Sequence, residues 1–112
     1  METLRLFSYG TLQHSDIQQS LFKRKLEGTA DKILRYKLGT ISIPENHPNA
    51  QTYFIAIYTG DEKDILDGIC YTINASELSL IDDYEGPAYE RATVISISGK
   101  EVLIYRKPML PF

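Results

Sequence analysis

A chain of 112 residues with 43% hydrophobic residues predicts a single domain, 1–112, with one modest core. Its net charge of −3 and pI near 5.3 argue against a nucleic-acid-binding protein, which normally presents a basic face. The sequence has no secretory signal pattern and no apolar run of about 18 residues, so we expect a cytoplasmic protein with no membrane partner.

The beginning of the chain predicts a strand followed by a short helix. Thr3–Tyr9 alternates in polarity and is rich in β-forming residues, which indicates a strand. Ser15, with Gln18 three residues later, is typical of a capping box. We therefore expect a helix over residues 15–25 that is ended by Gly28.

The middle of the chain predicts β-structure on both sides of a loop. Lys32–Ile43 has apolar residues at β-like spacing, and we expect an interruption at Gly39. Pro44–Ala50 contains two prolines and two asparagines, which predicts a loop. Thr52–Thr59 is a strong strand candidate, and the charged Gly60–Asp64 segment predicts a turn.

A further strand and a helix follow this turn. Ile65–Ile73 predicts a strand, in which Gly68 indicates either a bulge or a close approach of another backbone. Asn74 and Glu77 have the spacing of a capping box, and Gly86-Pro87 is a strong stop signal. These signals bracket a helix between residues 74 and 86.

The last part of the chain predicts a hairpin and completes the fold class. Glu90–Ser98 and Glu101–Arg106 are expected to pair across a two-residue turn at Gly99-Lys100. Strands outnumber helices and do not alternate with them, which argues against a doubly wound parallel sheet. The sequence therefore predicts an α+β fold, a small mixed and mainly antiparallel barrel-like sheet with two or so short flanking helices.

Acidic residues stand at the unfavourable end of the second predicted helix. Asp82, Asp83 and Glu85 fall in its last turn, where exposed carbonyl groups carry partial negative charge. A carboxylate there is disfavoured by about 0.3–1 kcal/mol, and the same field raises its pKa and makes it a better proton acceptor. The broken local rule is a reason to suspect a functional acid, although position alone favours an ordinary solvated acidic turn.

A second candidate segment, Tyr9-Gly10-Thr11-Leu12, directly follows the first strand. Gly10 lets the backbone turn sharply and removes side-chain bulk near a ligand. Successive backbone N–H groups in such a turn form a concavity that binds an anion. A turn after a strand also needs no function, so this segment alone leaves both interpretations open.

The cysteine and histidine pattern predicts neither a disulfide nor a metal site. Cys70 is the single cysteine and lies in an apolar stretch, so we expect a small core residue. His14 and His47 share no ligand spacing with each other or with Cys70.

Together these segments give the chain a family resemblance. The chain resembles the γ-glutamylcyclotransferase-like family, which includes the γ-glutamylamine cyclotransferases. The resemblance is carried, in the family's order, by FSYGTL at 7–12, LRYKL at 34–38, LDGICYTI at 66–73 and LSLIDDYEGPAYERATVISI at 78–97.

The resemblance implies a small barrel-like sheet with flanking helices and an enzyme that needs no cofactor. Its substrate would be a γ-glutamylamine or a small γ-glutamyl peptide, and its products 5-oxoproline and a free amine. Glu85 would act as general base and then as general acid. Residues 9–12, that is Tyr9, Gly10, Thr11 and Leu12, would hold the glutamyl group mainly through backbone N–H groups, and Tyr89 would lie near the pocket. The alternatives are a non-catalytic small-molecule-binding module on the same fold and an amide hydrolase that releases glutamate.

We expect the remaining polar and aromatic residues near Glu85 to have structural rather than catalytic roles. Asp82 and Asp83 are expected to be solvated or structural. We expect Tyr84 on the inner face of the helix and Tyr105 in the core. Arg91 is placed on a solvated strand face in preference to a pair with a helix carboxylate.

Overall fold

The computed structural model of the protein describes residues 3–43 and 51–109, and the predicted loop Pro44–Ala50 lies outside this part of the chain. The strands are β1 Thr3–Ser8, β2 Gly28–Leu34, β3 Tyr36–Ile43, β4 Gln51–Tyr58, β5 Ile65–Asn74, β6 Glu90–Ile95 and β7 Glu101–Arg106. The helices are α1 Ser15–Phe22 and α2 Ala75–Glu85, and a 3₁₀ turn spans Thr11–Gln13. The predicted α+β class with two short helices is confirmed.

The strands form one curled, mixed sheet that closes into a half-barrel. Its order is β2-β5-β1-β7-β4-β3, with β6 paired to β7 outside this path. The pairs β1–β5, β2–β5, β3–β4 and β6–β7 are antiparallel, whereas β7 runs parallel to both β1 and β4. The central strands β1 and β7 therefore come from the two ends of the described chain.

The sheet separates two hydrophobic clusters. Neighbouring strand residues face opposite sides of a sheet, so Leu6 and Phe7 of β1 are both buried, one in each cluster. The cluster that packs against the helices contains Leu6, Leu12, Phe22, Leu26, Tyr71, Ile73, Ile81 and Tyr105. The cluster on the other face contains Phe7, Ile33, Tyr36, Ala56, Leu66, Cys70, Val102 and Ile104, which confirms the expected core position of Cys70. Neither described helix has the length and apolar composition required to cross a membrane.

The predicted interruption at Gly39 is wrong, because the chain breaks at Arg35 instead. Arg35 has φ +73°, its N–H donates to the Asp64 carbonyl (2.8 Å), and its carbonyl accepts from the Thr59 N–H (2.7 Å). Gly39 continues β3, where an added Cβ would lie 2.4 Å from Cδ1 of Ile57. This glycine makes room for a cross-strand side chain and does not end a strand.

The predicted capping box of α1 is also wrong. His14 is the N-cap and makes no side-chain cap bond, and Lys23 ends the helix with φ +59°. Gln18 points inward, where its Nε2 donates to the Leu12 carbonyl and its Oε1 accepts from the Leu26 N–H, both at 2.9 Å. The Gln18 side chain therefore satisfies two buried main-chain groups of the flanking loops and does not cap the helix.

The hairpin turn differs from the prediction as well. β6 ends at Ile95, which pairs with Glu101, so residues 96–100 form the connection in place of a two-residue turn. The Ser96 N–H donates to the Lys100 carbonyl at 2.8 Å, and Gly99 has φ +86°. The positive φ explains the glycine at this position.

Gly68 marks a close backbone approach, one of its two predicted roles. A Cβ added at this residue would lie 2.5 Å from the Ser8 carbonyl oxygen and 2.5 Å from Cζ of Phe7. We expect Gly68→Ala to lower the free energy of unfolding by about 1–3 kcal/mol, because the methyl group forces β1 and β5 apart. Chemical denaturation measures this change. Gly10→Ala is the matched control, since a Cβ there meets nothing within 4 Å, and equal losses in both variants would contradict the argument.

Candidate active site

Two local signals place Glu85 at the end of α2. The Asn74 side chain accepts from the Glu77 N–H (2.9 Å), and the Glu77 carboxylate accepts from the Asn74 N–H (3.1 Å), so the predicted capping box is confirmed. Gly86, with φ +79°, donates its N–H to the Asp82 carbonyl at 3.0 Å and ends the helix. Glu85 is therefore the last helical residue, as the sequence predicts.

The 9–12 segment leaves the end of β1 and enters the 3₁₀ turn. The first donor of this turn is the Gln13 N–H, which bonds to the Gly10 carbonyl at 3.1 Å. The N–H groups of Gly10, Thr11 and Leu12 come before that bond in the chain, at the positions where a helix start has N–H groups with no partner inside the helix. The Leu12 side chain is buried in the core and anchors the turn.

The two segments line a small cavity, and a wider cleft shares several of its lining residues. The inner cavity, of about 40 Å³, is lined by Leu6, Phe7, Ser8, Tyr9, Gly10, Thr11, Leu12, Tyr53, Phe54, Glu85, Tyr89 and Tyr105. The outer cleft, of about 450 Å³, is lined by Thr11, Tyr53, Asp83, Tyr84, Glu85, Gly86, Pro87, Ala88 and Tyr89. Glu85 lines both spaces, as do Thr11, Tyr53 and Tyr89. Every predicted site residue lines the inner cavity, and the chemical role of each stays a prediction.

Burial gives Glu85 an unusual ionisation. Loss of solvent around the carboxyl raises its pKa from 4.5 to about 7. The sequence analysis expected the field of the helix terminus to raise this pKa, and desolvation by burial is the cause that accounts for the rise. At neutral pH this carboxyl exchanges a proton readily in either direction.

Tyr9 and Tyr89 line the inner cavity, and the hydroxyl group of each is hydrogen-bonded to the main chain. The Tyr9 hydroxyl donates to the Tyr105 carbonyl (2.5 Å) and accepts from the Ala56 N–H (3.0 Å). The Tyr89 hydroxyl donates to the Phe54 carbonyl at 2.9 Å. Burial raises the pKa of Tyr9 and raises that of Tyr89 to about 12, so both stay neutral at pH 7.

Two of the structural interpretations are wrong, and both errors concern the end of α2. Tyr84 is 38% exposed, and its hydroxyl shares a hydrogen bond of 2.6 Å with the hydroxyl of Thr11. Arg91 does not lie free on a strand face, because its Nη1 donates to Asp82 at 2.6 Å. Asp82 is structural, as one of its two predicted roles states.

Sequence reasoning missed two aromatic residues of the site, Tyr53 and Phe54, and placed Tyr105 only in the core. Tyr105 is buried as predicted, but it also lines the inner cavity. Tyr53 and Phe54 belong to β4, whose run of apolar residues gives no signal for which side chains reach a cavity. Among the residues that the structure describes, no three His, Cys, Asp or Glu side chains are grouped to hold a metal ion.

Comparisons with known proteins agree with this architecture. A family model described as gamma-glutamyl cyclotransferase, AIG2-like, matches residues 6–109. A sequence search of curated proteins returns no match. A solution structure from Arabidopsis thaliana is 19% identical with a TM-score of 0.73, covering 96% of this chain and 63% of that one. The chain thus spans less than two thirds of that relative.

Two further solved structures give the same result. One described as gamma-glutamyl cyclotransferase is 17% identical with a TM-score of 0.72, covering 96% of this chain and 68% of that one. An uncharacterized protein from Pyrococcus horikoshii is 19% identical with a TM-score of 0.65, covering 97% of this chain and 81% of that one. At these identities the likeness shows the fold.

Proposed function

The chain belongs to the γ-glutamyl cyclotransferase, AIG2-like family, and from this we propose that it converts a γ-glutamylamine or small γ-glutamyl peptide into 5-oxoproline and a free amine. The observation that carries the proposal is the position of Glu85. Its carboxyl has a pKa of about 7, and the residue lines both a small cavity, walled by the 9–12 turn, and an open cleft.

The proposed reaction is an intramolecular aminolysis. The α-amine nitrogen of the substrate attacks its own γ-carbonyl carbon, and the new C–N bond closes a five-membered ring. The old amide C–N bond then breaks and releases the amine. Holding the two groups together is worth up to roughly 7–11 kcal/mol of barrier in well-oriented cases, so the enzyme needs no nucleophile of its own.

Proton transfer is the remaining task, and Glu85 has the properties for it. The α-ammonium group, with a pKa near 8, must lose a proton before it attacks. The Glu85 carboxylate accepts that proton and donates it to the leaving amine nitrogen as the old C–N bond breaks. The ring nitrogen loses a second proton to become the lactam N–H, and the carboxyl passes this proton to the released amine, which leaves as ammonium and returns the carboxyl to its starting state. A pKa of about 7 matches both steps near neutral pH.

The sizes of the two spaces support a division of the substrate between them. The inner cavity accommodates small polar groups of the glutamyl moiety beside the N–H groups of Gly10, Thr11 and Leu12. These donors suit either the substrate carboxylate or the oxyanion that develops on the γ-carbonyl. The outer cleft, of about 450 Å³, has room for the leaving amine.

Cys70 does not offer a competing mechanism. The thiol is buried in the cluster on the opposite face of the sheet from α2, and burial raises its pKa. A thiol in these surroundings is a poor nucleophile.

The test is the identity of the product formed from a panel of γ-glutamyl amines and γ-glutamyl peptides. Mass spectrometry is expected to detect 5-oxoproline and the free amine in equal amounts. Release of glutamate would instead identify a hydrolase. Saturable binding without turnover of any panel member would identify a binding module.

A substitution at Gly10 tests whether the glutamyl group binds in the inner cavity. Its φ of −129° is accessible to any residue and a Cβ would meet nothing within 4 Å, so the expected sharp turn is not what requires glycine. We expect Gly10→Val to raise KM by roughly tenfold, because one to two kcal/mol of glutamyl binding is lost when the side chain fills the cavity. Steady-state kinetics measures this effect. An unchanged KM in a folded variant would place the glutamyl group elsewhere.

A further inference from the structure

The carboxylate of Asp82 is held by two different strands of the sheet. Its Oδ1 accepts from the Tyr105 hydroxyl at 2.5 Å, and its Oδ2 accepts from Nη1 of Arg91 at 2.6 Å. Arg91 and Tyr105 are directly paired residues of β6 and β7, so their side chains lie on the same face of the sheet. Both oxygens of one helix carboxylate are thereby fixed by the sheet.

Asp82 also belongs to the turn that presents Glu85. Its main-chain carbonyl accepts from the Gly86 N–H at 3.0 Å and closes the last turn of α2. Residues three apart lie on neighbouring positions of a helix surface, so the Asp82 contacts act within one turn of Glu85. The ends of helices fray readily, and Gly86 beyond this one adds further freedom.

Tyr105 connects this turn with the other half of the site. While its hydroxyl donates to Asp82, its main-chain carbonyl accepts from the Tyr9 hydroxyl at 2.5 Å. Tyr9 begins the 9–12 segment, and the Tyr105 ring lines the inner cavity between the two. One residue of β7 therefore sets the separation of the glycine turn and the helix end.

We propose that Asp82, held by Tyr105 and Arg91, is a positioning residue that keeps the Glu85 carboxyl in the inner cavity. The kinetic part of this inference rests on the proposed function, whereas the placement of the carboxyl does not. Without these contacts the last turn of α2 loosens, water reaches the carboxyl, and its desolvation decreases.

The groups around Glu85 allow this effect to be separated from a change in charge. The titratable residues that share its cavity or cleft are Tyr9, Tyr53, Asp83, Tyr84, Tyr89 and Tyr105, and Arg91 lies beyond, paired with Asp82. Burial raises the pKa of Tyr105, so this phenol is neutral at pH 7. Tyr105→Phe therefore removes the contact to Asp82 without changing any charge.

The experiment is an NMR titration of the Glu85 side-chain carboxyl carbon in the free protein, assigned with Glu85→Gln. In Tyr105→Phe and in Asp82→Asn we expect the pKa of Glu85 to fall from about 7 toward 4.5, by at least about 0.5. Tyr36→Phe is the matched control, because Tyr36 is also buried and its hydroxyl accepts from Arg106 at 2.6 Å, outside the cavity. Its Glu85 titration is expected to match that of the wild type.

Kinetics gives the second readout. We expect kcat to fall on the order of tenfold in Tyr105→Phe with KM changed much less, since a displaced base affects the chemical step. A Glu85 titration that is unchanged in folded Tyr105→Phe or Asp82→Asn overturns the inference. If no variant and no wild-type protein forms 5-oxoproline, the proposed function fails, and the titration still decides the positioning role.

Discussion

Replacing Glu85 with glutamine is expected to lower kcat/KM for 5-oxoproline release by roughly 10²–10⁴-fold, the usual range for a general acid–base residue. Glutamine keeps the shape of the side chain but can neither accept the ammonium proton nor donate one to the leaving amine. In the proposed mechanism the wild-type carboxyl, with a pKa of about 7, does both near neutral pH. Mass-spectrometric detection of 5-oxoproline over time measures the difference.

The control for this prediction is Glu101→Gln, which neutralises an exposed acid of β7 away from the cavity. Its activity should equal that of the wild type, because the loss of one surface charge does not affect the proton transfers. Undiminished ring closure in a correctly folded Glu85→Gln protein would remove the basis of the proposed mechanism.

Glu85→Gln is also expected to change how the free energy of unfolding depends on pH. The pKa of Glu85 is about 7 in the folded protein and 4.5 for an unperturbed carboxyl. Between these values the folded state binds more protons than the unfolded state, so stability falls as pH rises from 4.5 to 7 and then levels off. Each unit of difference between the two pKa values corresponds to about 1.4 kcal/mol. Above pH 7 the buried, ionised carboxylate therefore lowers the free energy of unfolding by about 3 kcal/mol.

Chemical denaturation of both proteins at about pH 5 and about pH 8 isolates this contribution, since other titrating groups cancel in the comparison. Glu85→Gln is expected to gain stability relative to the wild type at the higher pH and little at the lower. Parallel stability curves for the two proteins would mean that the carboxyl is solvated in the folded state. A substitution that stabilises the fold but lowers turnover is typical at a residue retained for function.

The helix that carries Glu85 could be predicted from sequence because its signals are local. The Asn74–Glu77 capping box and the Gly86 stop act over a few residues, and the structure has both. The strand order and the face of each strand are not local properties. The Gly68 pattern illustrates this limit, since the sequence indicated two roles and only the packing against Phe7 and Ser8 selected one.

Local signals also failed where a distant partner was stronger. Gln18 has the spacing of a capping residue, yet the buried carbonyl of Leu12 and N–H of Leu26 bind it instead. Arg35 carries no breaker signal, and its positive φ is sustained by main-chain bonds to Asp64 and Thr59. In both cases the partners are separated from the residue along the chain and meet it only after folding.

The sequence by itself determined the fold class, the bounds of α2 and the candidate residues on the 9–12 turn and at Glu85, because these follow from short-range patterns and motifs. Tertiary structure alone decided that Tyr84 meets Thr11, that Arg91 and Tyr105 hold Asp82, and that Glu85 is desolvated. Contacts and desolvation depend on which surfaces the sheet brings together, and residues distant in the chain set them.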